Sequence, residues 1–162
     1  MYDYLIVLGI GFVAGLRTFT APAALSWAAY LNPVMFSGTP VAFMGSKIAL
    51  VIFTLLAVGE YVADLLPKTP NRIAPRPLIA RIISGAFCGF CLFSTAFPSG
   101  LLGALLGGPG AVIGAFAGYH TRKKLVATLE VKDAMIAIPE DLVAIALAYM
   151  LMFRFMAPLA PP

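Results

Sequence analysis

The chain has 162 residues, of which 61% are hydrophobic and 11% are charged, and its mean hydropathy is +0.96. Soluble domains are about 45–50% apolar and about 25% charged, so this composition excludes a soluble globular protein with a separate catalytic domain. The net charge of +4 does not indicate a nucleic-acid partner, because most lysines and arginines flank apolar segments, as in membrane proteins.

Five apolar segments approach the length that a helix needs to cross a bilayer, about 20 residues. Clusters of proline, glycine and charged residues separate them. The segments cover about Tyr4–Leu31, Ile48–Leu66, Pro77–Phe97, Leu101–Tyr119 and Pro139–Phe155. The sequence therefore predicts an all-α integral membrane protein of about five transmembrane helices, in a single domain over residues 1–162.

The first segment is too long and too polar for one regular span. Its 28 residues would form a helix about 42 Å long against a hydrocarbon core of about 30 Å, and they include Arg17 and Pro22. We predict an interruption between these two residues. An arginine near the bilayer centre costs about 2.5–3.5 kcal/mol or more. Arg17 therefore either bonds backbone carbonyls freed by the break or contacts an anion or a substrate, together with Thr18 and Thr20.

The second segment ends with two carboxylates, Glu60 and Asp64, which lie on one helix face because they are four residues apart. Carboxylates at a helix C-terminus oppose the helix dipole, so each needs a compensating charge or a proton. We expect either salt bridges from Arg72, Arg76 or Arg81, or a proton or cation site.

The fourth segment contains Gly107-Gly108-Pro109-Gly110, which predicts a second interrupted span. Residues 11–18 match residues 114–121 at four of eight positions, with Arg17 opposite His120. Because three spans would separate the starts of the two copies, this match predicts a weak inverted repeat. Both copies carry a Gly-xxx-Gly motif, which allows close helix packing either within the chain or in a dimer.

The fifth segment begins with Pro139, Glu140 and Asp141, a pattern typical of a helix N-terminus, where acidic side chains favour the dipole. If the five spans alternate, eight basic residues share a side with the N-terminus, and only Lys47 and Arg154 lie on the other side. The positive-inside rule then places the N-terminus in the cytoplasm, in a bacterial inner membrane.

The sequence leaves two functions open. One is a small transporter or channel for an ion or solute, with a pathway lined by Arg17, Thr18, Thr20, Glu60 and Asp64. The other is a non-transport protein whose cytoplasmic rim binds anionic lipid or a partner. That rim comprises Arg72, Arg76, Arg81, His120, Arg122 and Lys123.

The sequence also lacks the motifs of the common enzyme and metal sites. It has no phosphate-binding loop, metal-ligand cluster or catalytic triad pattern, so we expect no enzyme, no metal and no cofactor. Membrane lipids are expected partners. A chain of this length has few helices to enclose a pathway, which favours a homo-oligomer, most simply a dimer.

Several motifs together resemble a family of small bacterial multi-span membrane proteins that is catalogued as a domain of unknown function. They are Gly15-Leu16-Arg17-Thr18-Phe19-Thr20-Ala21-Pro22, Glu60 to Asp64, Leu66-Pro67-Lys68-Thr69-Pro70-Asn71-Arg72, Arg81 and Pro139-Glu140-Asp141-Leu142. The resemblance covers nearly the whole chain. It implies a membrane protein and no particular activity.

Overall fold

The computed structural model describes residues 2–64, 73–95, 97, 99–130 and 133–157, and their regular structure is entirely helical. The α-helices are α1 Tyr2–Leu16, α2 Thr20–Leu31, α3 Lys47–Asp64, α4 Pro75–Phe93, α5 Leu101–Leu129 and α6 Asp133–Met156. A short 3₁₀-helix, Ala42–Gly45, precedes α3. The predicted all-α class is confirmed.

Three helical stretches are long and apolar enough to cross a membrane, and the sequence had predicted five spans. They are Pro75–Phe93, Leu101–Leu129 and Met135–Met156. A shorter apolar stretch is Tyr4–Leu16 in α1. These helices indicate a membrane protein, because about 20 apolar residues of helix match the hydrocarbon thickness.

Helices α1, α4 and α5 form the closely packed centre of the bundle. α1 and α5 run parallel, because Gly11 lies against Gly107 and Gly15 lies against Ala111, one turn further along both helices. Gly85 of α4 lies against the same Gly107. A Cβ atom at these glycines would overlap a backbone carbonyl, so the predicted Gly-xxx-Gly faces provide packing within the chain.

Helices α2, α3 and α4 alternate in direction. α3 is antiparallel to α4, because the Glu60 carboxylate lies 3.6 Å from the Arg81 guanidinium and the Phe53 ring lies 6.4 Å from the Phe87 ring. α2 is in turn antiparallel to α3. Two hydrogen bonds establish this direction: Thr20 with Tyr61, and Trp27 with Thr54.

The first predicted span is interrupted, as expected, but its two halves form a hairpin. The Tyr4 ring lies 5.5 Å from the Phe93 ring, so α1 begins where α4 ends. Since α2 runs in the same direction as α4, it returns toward the end of the bundle at which α1 begins. The sequence predicted that both halves continue across the membrane in one direction, and this prediction is wrong.

The fourth predicted span is continuous, contrary to the prediction. α5 continues through Pro109, and the neighbouring glycines lie against other helices. Gly107 lies against the Gly85 carbonyl, and Gly110 lies against the Leu8 carbonyl. A proline within a helix is tolerated in a packed membrane bundle. The inverted repeat is also contradicted, because the matched segments of α1 and α5 run parallel.

Pro139 lies within α6, which begins at Asp133. Glu140 and Asp141 are therefore two turns into the helix, and the predicted role for them as first-turn residues is wrong. Their side chains instead face basic groups of other helices: Asp141 faces Arg17, and Glu140 faces Arg122.

Helices α1, α3 and α5 run toward one end of the bundle, and α2, α4 and α6 run away from it. We call this end the cluster end, because it carries Arg17, Asp64, Arg81, Arg122 and Asp141. Tyr4 lies at the opposite end. The predicted topology, in which the start of the chain shares a side with the segment before α4, is wrong because the hairpin adds one reversal of direction.

Candidate functional site: a buried ion-pair cluster

The tip of the α1–α2 hairpin consists of Arg17, Thr18 and Phe19, between the two helices. The backbone N–H groups of Thr18 and Phe19 donate to the two carboxylate oxygens of Glu60, at 2.8 and 2.9 Å. Glu60 thereby lies next to the N-terminus of α2, where the helix dipole favours a negative charge. A side chain 41 residues away in sequence thus satisfies the backbone at the break.

Side chains of α4 form hydrogen bonds to the other side of the tip. Arg81 donates from Nη1 to the carbonyl oxygens of Gly15 and Leu16, at 2.5 and 2.6 Å. The Ser84 hydroxyl donates to the Thr18 carbonyl oxygen at 2.5 Å. These contacts cover the irregular backbone with protein, as a break at membrane depth requires. Arg81 therefore performs the carbonyl-binding role that the sequence had suggested for Arg17.

Arg17 is the largest fully buried side chain of the described residues. Its Nη2 donates to the Asp64 carboxylate at 2.7 Å, and its Nε lies 2.5 Å from the Asp141 carboxylate. The guanidinium carbon lies 6.0 Å from the centre of the Tyr61 ring. Two carboxylates from two different helices therefore compensate this buried charge.

Arg122 of α5 completes the arrangement. Its Nη1 lies 2.5 Å from the Asp64 carboxylate and 3.5 Å from the Glu140 carboxylate. Asp64 therefore obtains its expected counter-charges from Arg17 and Arg122, and Glu60 obtains one from Arg81. Of the other predicted partners, Arg72 lies outside the described residues.

Two sets of ion pairs meet at the hairpin tip, one linking five side chains and one joining Glu60 to Arg81, and we call them together the ion-pair cluster. Its members are Arg17, Glu60, Asp64, Arg81, Arg122, Glu140 and Asp141. The four carboxylate side chains are 12–15% exposed, whereas the Arg17 side chain is 1% exposed. A group approaching from outside the bundle therefore meets carboxylates before it meets Arg17.

The two predicted threonines reach the site differently. Thr18 contributes its backbone to Glu60 and Ser84. The Thr20 hydroxyl is hydrogen-bonded to the Tyr61 hydroxyl at 2.7 Å. Tyr61 was not predicted as a site residue, although its position directly after Glu60 and three residues before Asp64 places it on the same turn of helix as both carboxylates.

The predicted basic rim divides into two groups. Arg76, His120 and Lys123 are exposed. Arg81 and Arg122 are paired within the bundle, with side chains 7% and 10% exposed, so they do not form an outward-facing rim. One sequence signal could have indicated that Arg122 forms ion pairs. It is the pair of carboxylates at the start of the fifth predicted span, because these carboxylates need a basic partner.

The profile of a family described as a domain of unknown function, DUF4126, matches residues 4–160. No curated protein and no solved structure matches the chain. The matched range includes every member of the ion-pair cluster.

Proposed function

The chain belongs to the DUF4126 family, a domain of unknown function, and we propose that it is a membrane transporter or channel for a small ion or solute. The observation that carries this proposal is the position of Arg17. It is fully buried at the tip of a helical hairpin and is shared between Asp64 and Asp141. We propose the ion-pair cluster as part of the pathway.

Energetics support a role beyond stability. Each charge that folding removes from water costs several kcal/mol, and buried ion pairs stabilise a fold no better than apolar side chains of similar volume. Stability of the hairpin alone does not require seven charged side chains. Ionisable residues kept inside membrane proteins commonly mark ion or substrate pathways.

The order of charges supports entry from the cluster end. The carboxylates are partly exposed and Arg17 lies behind them. A cation or proton that arrives from this end would first bind to a carboxylate. This binding would weaken the ion pair between the carboxylate and Arg17. This weakening provides a way to couple ion binding to movement of the α1–α2 hairpin.

We also propose an orientation, in the inner membrane of a bacterium. Within the described residues, the cluster end carries Arg76, Arg122, Lys123 and Lys124, whereas Lys47 and Arg154 lie toward the opposite end. The positive-inside rule places the cluster end in the cytoplasm. The start of α1 then faces the other side, which differs from the orientation expected from five spans.

A homodimer remains the favoured assembly in this proposal. The close glycine contacts among α1, α4 and α5 leave no space for a pathway between those three helices. A solute would therefore pass beside α2, α3 and α6, or between two copies of the chain. No enzymatic step is part of the proposal.

A second function rests on the exposed part of the rim. Arg76, His120, Lys123 and Lys124 are all exposed and lie toward the cluster end. This arrangement favours binding of anionic lipid headgroups, each basic group near a charged membrane surface contributing about 1 kcal/mol. It predicts lipid binding without solute flux.

Reconstituted liposomes separate the two functions. The purified chain is inserted into liposomes, and the flux of H⁺, Na⁺, K⁺ and Cl⁻ is measured against protein-free liposomes. We expect flux of at least one of these ions, loss of that flux in Arg17→Leu, and retention in the matched control Arg154→Leu, because Arg154 is exposed and outside the cluster. Arg17→Lys should retain part of the flux if charge alone is needed.

Two results would contradict the transport proposal. One is the absence of flux for all four ions with correctly folded protein, which contradicts transport of these ions. The other is unchanged flux in a folded Arg17→Leu variant. If Arg17→Leu does not fold in detergent, Arg17 is a structural residue, and Lys123→Gln with anionic vesicles then tests the lipid-binding alternative.

A further inference from the structure

An apolar slot lies between α2, α3 and α6, next to the ion-pair cluster but lined by none of its members. Its cavity volume is about 360 Å³. Buried alanines form its floor, among them Ala28 and Ala148. Exposed aromatic side chains form its edges, among them Trp27 and Tyr149. The slot thus opens on the apolar outer surface of the bundle.

The dimensions of the slot decide what can occupy it. Its lining extends along α2 from Thr20 to Leu31, about 16 Å at 1.5 Å per residue. The space is therefore long and almost entirely apolar, a shape that suits an extended acyl chain.

One end of the slot is polar. The Thr20 and Tyr61 hydroxyls line it and are hydrogen-bonded to each other at 2.7 Å. Each hydroxyl has one hydrogen and two acceptor lone pairs, so whichever donates, the other keeps an unused O–H donor. No acceptor for that hydrogen lies within the part of the chain that the structure describes. The slot therefore ends in a donor suited to a carbonyl oxygen.

We propose that this slot binds one acyl chain of a membrane phospholipid, with its ester carbonyl accepting the free hydroxyl hydrogen of Thr20 or Tyr61. The hydroxyl pair lies at the cluster end of the slot, so the ester and the headgroup of the bound lipid lie toward that end. The methyl end then lies toward Leu31 and Met156. Small alanines and a few placed polar groups are typical of a specific apolar site.

Trp27 provides a direct probe, because it lines the slot and is the only tryptophan of the chain. The purified protein in detergent is titrated with phosphatidylglycerol that carries dibrominated acyl chains, which quench a tryptophan on contact. We expect quenching that saturates at about one lipid per chain. Ala24→Leu, which adds bulk at a half-buried lining position, should abolish the saturable part.

Matched variants make the result specific. Ala146→Leu adds the same bulk to an exposed position on α6 outside the slot, and saturation should persist. Because either hydroxyl can donate to the ester, the double variant Thr20→Val/Tyr61→Phe removes the donor, and it should weaken binding about three- to tenfold, which is the contribution of one hydrogen bond. Quenching that rises without saturation in every variant overturns the proposal, as does unchanged affinity in the double variant.

Light scattering of the same variants tests whether a second copy of the chain occupies the slot. If Ala24→Leu converts a dimer into a monomer on light scattering while Ala146→Leu does not, the slot is a subunit interface and the lipid proposal is wrong. None of these measurements uses ion flux, so the result is independent of the transport proposal.

Discussion

Each charged side chain of the ion-pair cluster is stabilised by partners on other helices. Arg17 has two carboxylate partners, and Asp64 has two guanidinium partners. Removing one member of a buried pair leaves the other charge without compensation, which costs about 3–5 kcal/mol. Removing both members costs less than the sum, because the loss of the interaction between them is counted only once. Comparing single and double substitutions therefore tests whether two charged side chains are paired.

We predict that Arg17→Leu and Asp64→Leu each lower the free energy of unfolding by about 3 kcal/mol, and that the double variant is less destabilised than their sum by about 1–3 kcal/mol. Unfolding of the purified protein in mixed micelles measures all three. The pair Arg154→Leu and Asp64→Leu is the control, and its effects should be additive. Additivity for Arg17 and Asp64 would contradict their pairing.

At the scale of elements, glycine decides how closely helices approach. Gly107 of α5 lies against the Gly85 carbonyl of α4 and also against Gly11 of α1. In contrast, nothing lies within 4 Å of the position that a Cβ of Gly59 in α3 would occupy. The same substitution at these two glycines should therefore have opposite effects.

We predict that Gly107→Ala destabilises the protein by about 1–3 kcal/mol, because the added methyl overlaps backbone that cannot move as a flexible side chain does. Gly59→Ala should leave stability unchanged or raise it by up to about 1 kcal/mol, because alanine is the better helix former. Both are measured by unfolding in micelles. Equal effects of the two substitutions would argue against the close packing of α4 and α5.

The α1–α2 hairpin is the element that separates the observed arrangement from five alternating spans. Both arrangements break the helix near Arg17, and both leave the same backbone groups to be bonded. They differ in whether α2 continues across the membrane or returns. The contacts of Thr20 with Tyr61 and of Trp27 with Thr54 require it to return.

For the whole molecule, this reversal makes a topological prediction. Cysteines at Tyr4 and Ser37 should react with a membrane-impermeant reagent from outside intact cells, and a cysteine at Thr128 should react only after permeabilisation. All three positions are exposed. The native Cys88 and Cys91 are free and buried, and replacing both with alanine removes any background.

Each alternative gives a distinct labelling pattern. Five alternating spans would place Tyr4 with Thr128 and opposite Ser37. A reversed orientation would expose only Thr128 in intact cells and would contradict the positive-inside argument. The prediction thus tests the hairpin and the orientation separately.

The sequence by itself determined the properties that depend on local composition. Long apolar segments predicted helices and a membrane, Arg17 and Pro22 predicted a break, and the pair Glu60 and Asp64 predicted a need for counter-charges. The break, the helices and the counter-charges are present in the structure. Transfer free energy and helix propensity act over a few neighbouring residues, so a single sequence reveals them.

Only the tertiary structure decided which groups meet. Arg122 reaches Asp64 across 58 residues, and Arg81, not Arg17, bonds the carbonyls at the break. Likewise Pro109 remains within a continuous helix among closely packed glycines. The physical reason is that a charge or a broken helix end requires some partner but does not specify one. The partner follows from helix direction and register, which the packing of the glycine faces across the whole bundle determines.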